Sequence, residues 1–248
     1  MLGLHPALKW AAMIPVNFLS IFRQKNLQAA DQAMGEGPFH VHFRPGVDFC
    51  VCGNGAFSAI RGEMYVRDVY LGNGLLTIED GDTVVDLGAN IGNLTNLALA
   101  HGSSVRVNSV EPGLILNDSY KKSISLNDGF IERTQLVRAS VGKMGAIQSS
   151  MLDVKQYKGA EWISEDELVS STQLSKIDFL KCDIEGGEFD LLHSSSKMLQ
   201  MTRKIAIEIH QSAGDVDGFI EMLVAQGFEL KSIQREPDGS ATVLGTRS

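Results

Sequence analysis

The stretch from Asp82 to Gly92 constrains the fold of this chain more than any other part of the sequence. Residues 83–87 are mostly apolar β-formers, and this run is too short for a buried helix. Gly88 and Gly92 follow, and glycine suits a sharp turn or a close approach of the backbone to a ligand. Apolar residues then recur at helical spacing over residues 94–98. The order predicts a buried strand, a tight glycine turn and the start of a helix.

A strand that enters a helix through glycines brings free backbone N–H groups and a helix N-terminus to one point. Such a point favours a bound anion or another strongly polar part of a ligand. We therefore expect the turn between Asp86 and Gly92 to form part of a cofactor site.

From residue 83 onward, strand patterns and helix patterns alternate along the chain. This alternation predicts βαβ units and a mostly parallel sheet with helices on both faces, hence an α/β fold. Only a short turn separates the last two predicted strands, so these two should pair antiparallel. The predicted strands are Thr83–Leu87, Ser104–Val110, Thr134–Val141, Ile177–Cys182, Lys204–Ile209, Phe228–Gln234 and Ala241–Gly245. The predicted helices are Asn90–His101, Asn117–Leu126, Phe189–Leu199 and Val216–Gln226, with an irregular segment over 142–159 and a short turn over 162–170.

The first part of the chain, residues 1–60, is predicted to be an extension of a main domain at 61–248. Residues 1–35 have a rough apolar helical face, and this helix could cover a sheet edge or act as a lid over a substrate pocket. Residues 38–60 alternate apolar and polar side chains and predict a β-hairpin. We expect substrate choice to depend on this extension and on residues 142–175.

Composition narrows the class of partner. The chain of 248 residues has a net charge of −8, which disfavours binding to nucleic acid or adsorption to an anionic membrane. Three cysteines without a framework spacing indicate reduced thiols and a cytoplasmic protein. The uncharged segment Trp10–Phe22 is too short to span a bilayer. We expect a cytoplasmic protein that acts on a small molecule, whereas the oligomeric state is not predicted.

Polar side chains concentrate where the predicted parallel strands end, and ligands of open α/β sheets bind outside these carboxyl ends. Glu111, at the end of the second strand, could accept hydrogen bonds from both hydroxyls of a ribose. The glycine turn departs from the dinucleotide fingerprint, since Asp86 precedes it and a third glycine is missing. A carboxylate there would repel a pyrophosphate but suit an ammonium group. The residues therefore favour a nucleoside with an amino-acid tail, such as S-adenosylmethionine, over a dinucleotide.

Four motifs in register resemble the FkbM family of class I S-adenosylmethionine-dependent methyltransferases. They are VVDLGANIG at residues 84–92, VEP at 110–112, KCDIEGGE at 181–188 and IEIH at 207–210. The similarity covers residues 60–235. Cys182 and Gly187 stand where the family more often has Ile or Leu and Ala, and both differences are small.

The resemblance implies a Rossmann-like, seven-stranded sheet and methyl transfer from S-adenosylmethionine. It implies that the methionine part contacts Asp86, Gly88, Asn90 and Gly92, with Asp183 in the same cofactor set. It also implies that Glu111 holds the ribose and that Ala139 and Ser140 lie near the adenine. Members of the family typically methylate a hydroxyl group of a sugar or a natural product. The alternatives are an N- or C-methyltransferase on the same scaffold and a non-catalytic, methyltransferase-like binding domain.

Methyl transfer to a hydroxyl requires an aligned acceptor oxygen and removal of its proton. His210 is the best candidate for the general base because the usual pKa of histidine is near neutrality. Equally, His210 could be held by a carboxylate and serve to organise the site. Asp183 and Glu185 could orient His210, bind substrate hydroxyls or hold a divalent cation. Glu188 is expected to begin the next helix and to offset its macrodipole.

Overall fold

A computed structural model of the chain describes residues 31–59, 64–65, 67–142 and 157–247. The helix predicted over residues 1–35 lies outside the described residues except for its last turn, which ends at Gly35 with a φ of 71°. Most of the segment predicted to be irregular, 142–159, also lies outside them. The lid and the domain boundary at residue 60 stay predictions.

Strands and helices alternate through most of the described chain. The strands are β1 (Phe39–Arg44), β2 (Val47–Val51), β3 (Thr83–Leu87), β4 (Arg106–Val110), β5 (Thr134–Val137), β6 (Ala139–Val141), β7 (Glu161–Ile163), β8 (Ile177–Cys182), β9 (Thr202–Ile209), β10 (Glu229–Arg235) and β11 (Ala241–Thr246). The α-helices are α1 (Ala56–Ala59), α2 (Asn93–Ala100), α3 (Leu114–Ser125), α4 (Glu165–Ser171), α5 (Glu188–Leu191), α6 (Lys197–Met201) and α7 (Val216–Ala225).

The centre of the molecule is a seven-stranded sheet with the order β10-β11-β9-β8-β3-β4-β5. Five strands of this sheet, β9, β8, β3, β4 and β5, run parallel to one another. β11 is antiparallel to both of its neighbours, β9 and β10. The predicted fold class is confirmed, including the antiparallel pair at the end of the chain. Strand order reverses between β3 and β8, so the carboxyl ends of these two strands form the switch point at which ligands bind.

Both faces of the sheet are covered, as the apolar strands predict. Successive residues of a strand point to opposite faces. Val84 and Phe179 accordingly belong to one hydrophobic core, and Val85 and Leu180 belong to the other. The four side chains are at most 1% exposed. Removing a side chain such as Phe179 would cost about 3–5 kcal/mol, so these two strands hold the switch point rigidly.

The predicted β-hairpin at the start of the described chain is present. β1 and β2 pair antiparallel. Their inward side chains Val41, Phe49 and Val51 lie in the same core as Leu94 and Leu97 of α2. The hairpin is therefore packed on the body of the α/β fold and covers one side of the helix that follows the glycine turn.

The prediction of a single strand over Thr134–Val141 is wrong, because this region forms two strands, β5 and β6, separated by Arg138. β4 ends at Val110, so a longer β5 would have no neighbour in the main sheet beyond Val137. The chain instead pairs through β6 with β7, in a separate two-stranded parallel sheet. This exchange of partners directs the residues after Val137 towards the switch point.

The long helix predicted over Phe189–Leu199 is also wrong, because two short helices, α5 and α6, occupy this region. Leu192 leaves the helical conformation with a ψ of 70°. The Ser196 hydroxyl then accepts a hydrogen bond from the Leu199 N–H at 3.1 Å and caps the second helix. Serine at this position satisfies a backbone donor that has no partner inside the helix.

Residues 162–170 form more than the short turn predicted for them, since they contain the end of β7 and most of α4. Ser164 and Glu167 make a reciprocal capping box, in which each side chain bonds to the backbone N–H of the other. This pair was visible in the sequence and is a recognised signal for a helix N-terminus.

In the part of the chain that the structure describes, no helix is both long and apolar enough to cross a membrane.

Candidate active site

The glycine turn lies at the switch point and is held from both sides. Gly88 follows β3 with a φ of 75°, and a Cβ atom at this position would overlap the carbonyl oxygen of Asp183. The N–H groups of Gly88 and Ala89 both donate to the carbonyl oxygen of Val110, each at 3.0 Å. Glycine is therefore required where the ends of β3 and β8 come closest.

Gly92 serves packing within the turn. It has a φ of 85° and precedes α2, and a Cβ atom there would lie 2.9 Å from the ring of Tyr120. Asn90 also has a positive φ, 52°, and its N–H donates to Oε2 of Glu111 at 2.9 Å. The turn thus orients a backbone donor toward the carboxylate that the sequence assigns to the ribose.

Glu111 is only 4% exposed, and the backbone holds its carboxylate. Oε1 accepts from the N–H of Gly113 at 2.7 Å, while Oε2 accepts from Asn90. Burial raises the pKa of Glu111, and this effect exceeds the lowering by the two N–H groups and by Lys181. Each oxygen retains a lone pair that could accept a further hydrogen bond, so the carboxylate can still bind a pair of hydroxyl groups.

A cavity opens beside this turn, and most of the predicted cofactor residues line it. Its polar wall includes Gly88, Asn90, Glu111, Ser140, Asp183 and Glu185, and its apolar wall includes Val110, Leu116, Ala139, Val141 and Ile184. The structure thus brings Ala139 and Ser140 to the same cavity as Glu111. Asp86 and Gly92 lie outside the lining residues, and their contact with a cofactor stays a prediction.

Asp86 is fully buried beneath the turn and faces charged and polar groups of the protein itself. Its Oδ2 accepts from the Thr95 hydroxyl at 2.8 Å, and its Oδ1 lies 3.5 Å from Nζ of Lys181. Lys181 also donates to the carbonyl oxygens of Leu87 and Gly88, at 3.0 and 2.7 Å. The expected ammonium partner of Asp86 is therefore supplied by the chain.

Lys181 is a residue of the site that the sequence argument missed. Burial alone would lower its pKa, but the neighbouring carboxylates of Asp86 and Asp183 more than offset burial, so the pKa is raised. A lysine within a fully buried strand that is apolar apart from Asp178 and Lys181 was the available signal, because such a charge needs partners inside the protein.

Asp183 follows β8 and lies between the buried pair of Asp86 and Lys181 and the surface of the cavity. Its Oδ2 accepts a hydrogen bond from the Tyr70 hydroxyl at 3.0 Å and lies 3.8 Å from Nζ of Lys181. Its side chain is 26% exposed. Tyr70 was not predicted, and because it precedes Asp183 by 113 positions no local pattern could indicate this contact.

His210 follows β9 and is held by a buried carboxylate. Oε1 of Glu188 accepts from the backbone N–H of His210 at 2.7 Å and lies 3.0 Å from the ring Nδ1. Oε2 of Glu188 accepts from the N–H of Gly186 at 2.8 Å. Glu188 does begin α5, as expected. Its carboxylate is fully buried, however, and it holds His210 by hydrogen bonds in addition to any interaction with the helix macrodipole.

The other ring nitrogen of His210, Nε2, faces three carboxylates. It lies 3.6 Å from Glu185, 3.9 Å from Glu208 and 4.0 Å from Asp183. Burial would lower the pKa of His210, but the Glu188 hydrogen bond and the charges of Glu188, Glu185 and Asp183 raise it to about 9. The free chain therefore carries a protonated imidazole at neutral pH, although the sequence argument assumed a pKa near neutrality.

The structure brings together the three predicted catalytic residues, Asp183, Glu185 and His210. One potential ligand atom from each residue lies within 4.8 Å of the others. Two of the three residues, Asp183 and Glu185, also line the cavity beside Glu111. The predicted cofactor site and the predicted catalytic residues are therefore adjacent, and they share these two carboxylates.

Comparison with known proteins identifies one family model that matches the chain. Residues 86–230, more than half of the chain, match the model of the methyltransferase FkbM domain. No curated protein sequence matches the chain.

Three solved structures are similar to the chain at low sequence identity. A methyltransferase FkbM from Methylobacillus flagellatus KT is 18% identical with a TM-score of 0.50, over 71% of this chain and 46% of that chain. The pyocyanin biosynthetic protein PhzM is 15% identical with a TM-score of 0.41, over 75% of this chain and 56% of that chain. The TrmK protein of M. capricolum, solved with S-adenosyl-homocysteine, is 10% identical with a TM-score of 0.45, over 75% of this chain and 68% of that chain. The match to the first two of these covers about half of their length.

The seven-stranded, mostly parallel sheet and the family match together define a Rossmann-like methyltransferase domain. Because the family model spans more than half of the sequence, the chain belongs to the FkbM methyltransferase family.

Proposed function

We propose that this enzyme transfers a methyl group from S-adenosylmethionine to a hydroxyl group of a small molecule, a natural product or a sugar. The observation that carries the proposal is the shared position of Asp183 and Glu185. Both residues line the cavity beside Glu111, and both face His210. An acceptor oxygen placed between the two regions would be close to the methyl donor and to groups that can take its proton.

The residues of the cavity fit the cofactor. Glu111 would accept hydrogen bonds from the ribose hydroxyls, and the apolar wall near Ala139 would pack on the adenine. Asp86 lies beneath the turn and Asp183 follows β8, and both carboxylates face the single ammonium group of Lys181. Asp183 and Glu185 also line the cavity, so negative charge is available there for the amino group and the sulfonium of the ligand.

S-adenosylmethionine supplies a methyl group bonded to a positively charged sulfur. The contribution of the chain is to align the acceptor oxygen with the S–CH₃ bond and to take up the acceptor proton. The bound cofactor would supply the methyl group and leave as the neutral thioether, and the acceptor proton would pass to the cluster of Asp183, Glu185 and His210. Since His210 is protonated at neutral pH in the free chain, we assign proton uptake to the cluster as a unit.

A cytoplasmic location and a small-molecule partner are part of the same proposal. All three cysteines carry free thiols, and the net charge of −8 disfavours nucleic acid and anionic membranes as partners. Fractionation of the native cells would test the location directly.

The activity can be tested with a panel of hydroxylated sugars and natural products and with methyl-labelled S-adenosylmethionine. We expect label in an ether of at least one acceptor and equimolar formation of S-adenosylhomocysteine. Label on nitrogen or carbon would contradict O-methylation while leaving the enzyme class intact. A thermal-shift titration with S-adenosylmethionine checks binding separately, and a stabilisation by NADH instead would contradict the cofactor assignment.

A further inference from the structure

We propose that Asp183, Glu185 and His210 bind a divalent cation of the Mg²⁺ or Mn²⁺ type. The inference deepens the proposed function and rests on it, because the ion would hold the acceptor oxygen beside the cofactor cavity. The ligand atoms would be one carboxylate oxygen of each acid and Nε2 of His210.

The distances in the cluster suit an ion better than direct hydrogen bonds. The contacts of Nε2 with Glu185 and Asp183, at 3.6 and 4.0 Å, exceed the usual length of a hydrogen bond. Ligand atoms that surround an ion at about 2.1 Å lie roughly 3 to 4 Å from one another. The potential ligand atoms of Asp183, Glu185 and His210 all lie within 4.8 Å of one another, so small side-chain movements would complete the site.

Glu188 supplies an independent argument. A histidine that binds a metal commonly donates its other ring N–H to a carboxylate, which fixes both the tautomer and the ring orientation. Oε1 of Glu188 lies 3.0 Å from Nδ1 of His210, and Glu188 is fully buried. Because an ionised carboxylate can only accept, Nδ1 carries a hydrogen, and Nε2 can bind an ion when the ion displaces its proton.

Tyr70 orients the carboxylate of Asp183 in a similar way. Its hydroxyl donates to Oδ2 of Asp183 at 3.0 Å, which leaves Oδ1 as the oxygen that faces His210. Asp183 follows β8 and His210 follows β9, two neighbouring strands of the buried sheet. Two of the three ligands are thus placed by rigid elements, as a binding site requires.

The local charge also favours a cation. The carboxylates of Glu185, Glu188, Glu208 and Asp183 all lie within 4.0 Å of the ring nitrogens of His210. Four acidic groups around one imidazole repel one another strongly in a partly buried place. An oxygen-rich set with a single imidazole favours Mg²⁺ or Mn²⁺ over the softer metals. The ion would lower the pKa of a bound acceptor hydroxyl, acting as a Lewis acid. With the ion bound, the three ligands would no longer take up the acceptor proton, and it would pass to solvent.

Titration of the EDTA-treated full chain with Mn²⁺, followed by electron paramagnetic resonance of the free ion, tests the site without acceptor or cofactor. We expect one Mn²⁺ per chain, displaced by excess Mg²⁺. Glu185→Gln should weaken binding by at least about 10-fold, and it should fold because this side chain is 66% exposed. Glu188→Gln should weaken binding about 10-fold, with its fold checked by circular dichroism. Glu221→Gln, at an exposed position of α7, is the matched control and should bind like the unchanged chain.

The proposal would be overturned by the absence of Mn²⁺ binding at millimolar concentration, or by equal binding by the unchanged chain, Glu185→Gln and His210→Ala. Methyl transfer that survives EDTA at its full rate would also overturn it, while the proposed function would stand. Conversely, Mn²⁺ binding that Glu185→Gln abolishes would support the site even if none of the acceptors tested were methylated.

Discussion

The two sides of the switch point use different chemistry. On the side of β3 and β4, the backbone shapes the site: glycines permit the turn, and two N–H groups fix Glu111. On the side of β8 and β9, ionisable side chains position one another, as Glu188 does for His210 and Tyr70 does for Asp183. The comparison suggests that the first side binds a constant ligand, the cofactor, whereas the second side handles protons and the variable acceptor.

The largest expected effect is a loss of turnover when His210, on the side of β8 and β9, is replaced. His210→Gln should lower turnover by about 10²–10⁴-fold, because a positioned proton-handling group is lost. Affinity for S-adenosylmethionine should stay within a few-fold, since His210 is not among the residues that line the cavity. Steady-state kinetics and isothermal titration calorimetry measure the two quantities. A comparable loss of cofactor affinity would show that the two sides are not separable.

Gly88→Ala should disturb both sides, because Gly88 lies where they meet. The added methyl group would overlap the carbonyl oxygen of Asp183, and the φ of 75° is itself unfavourable for alanine. We expect a loss of about 3 kcal/mol in the free energy of unfolding, measured by urea denaturation. Gly46→Ala is the matched control. It has a φ of 81° with open space around the added atom, and should cost only about 1 kcal/mol. Equal losses would mean that the close approach is unimportant.

Glu111→Gln should affect the first side alone. An amide keeps the shape of the side chain, but one of its two terminal atoms becomes a donor that faces a backbone N–H. We expect affinity for S-adenosylmethionine to fall about 30-fold, or about 2 kcal/mol, by calorimetry. Mn²⁺ binding at the second side should not change. Glu132→Gln, at an exposed position, controls for the loss of charge; an equal effect there would refute the ribose assignment.

The smallest effect is expected for Tyr70→Phe, which removes one hydrogen bond to Asp183. Loss of a single bond to a charged group should reduce turnover about 10-fold, near 1.5 kcal/mol, with unchanged affinity for the cofactor. Tyr65→Phe makes the same chemical change at a bond to the backbone carbonyl of Asn93 and should leave turnover unaltered. If both variants retained full activity, the positioning role of Tyr70 would be wrong.

The sequence predicted the sheet well because its strands are buried, and burial leaves a strong apolar pattern. It also placed Asp183, Glu185 and His210 at strand ends, and the ends of parallel strands lie at one edge of a sheet. It could not predict that Glu188 bonds to His210, because this contact depends on how α5 leaves the sheet. Likewise, the break at Leu192 and the end of β5 at Val137 follow from tertiary packing and from the length of a neighbouring strand, which no local pattern contains.

The contact between Asp86 and Lys181 has a consequence for strand register. In the parallel pairing of β3 with β8, these two residues are direct partners. A slip of either strand by one position would separate the carboxylate from the ammonium group and would reverse the faces of the apolar residues. A buried charge that loses its partner costs about 3–5 kcal/mol. The ion pair therefore selects one alignment of the two central strands, and with it the alignment of the cofactor turn against Asp183.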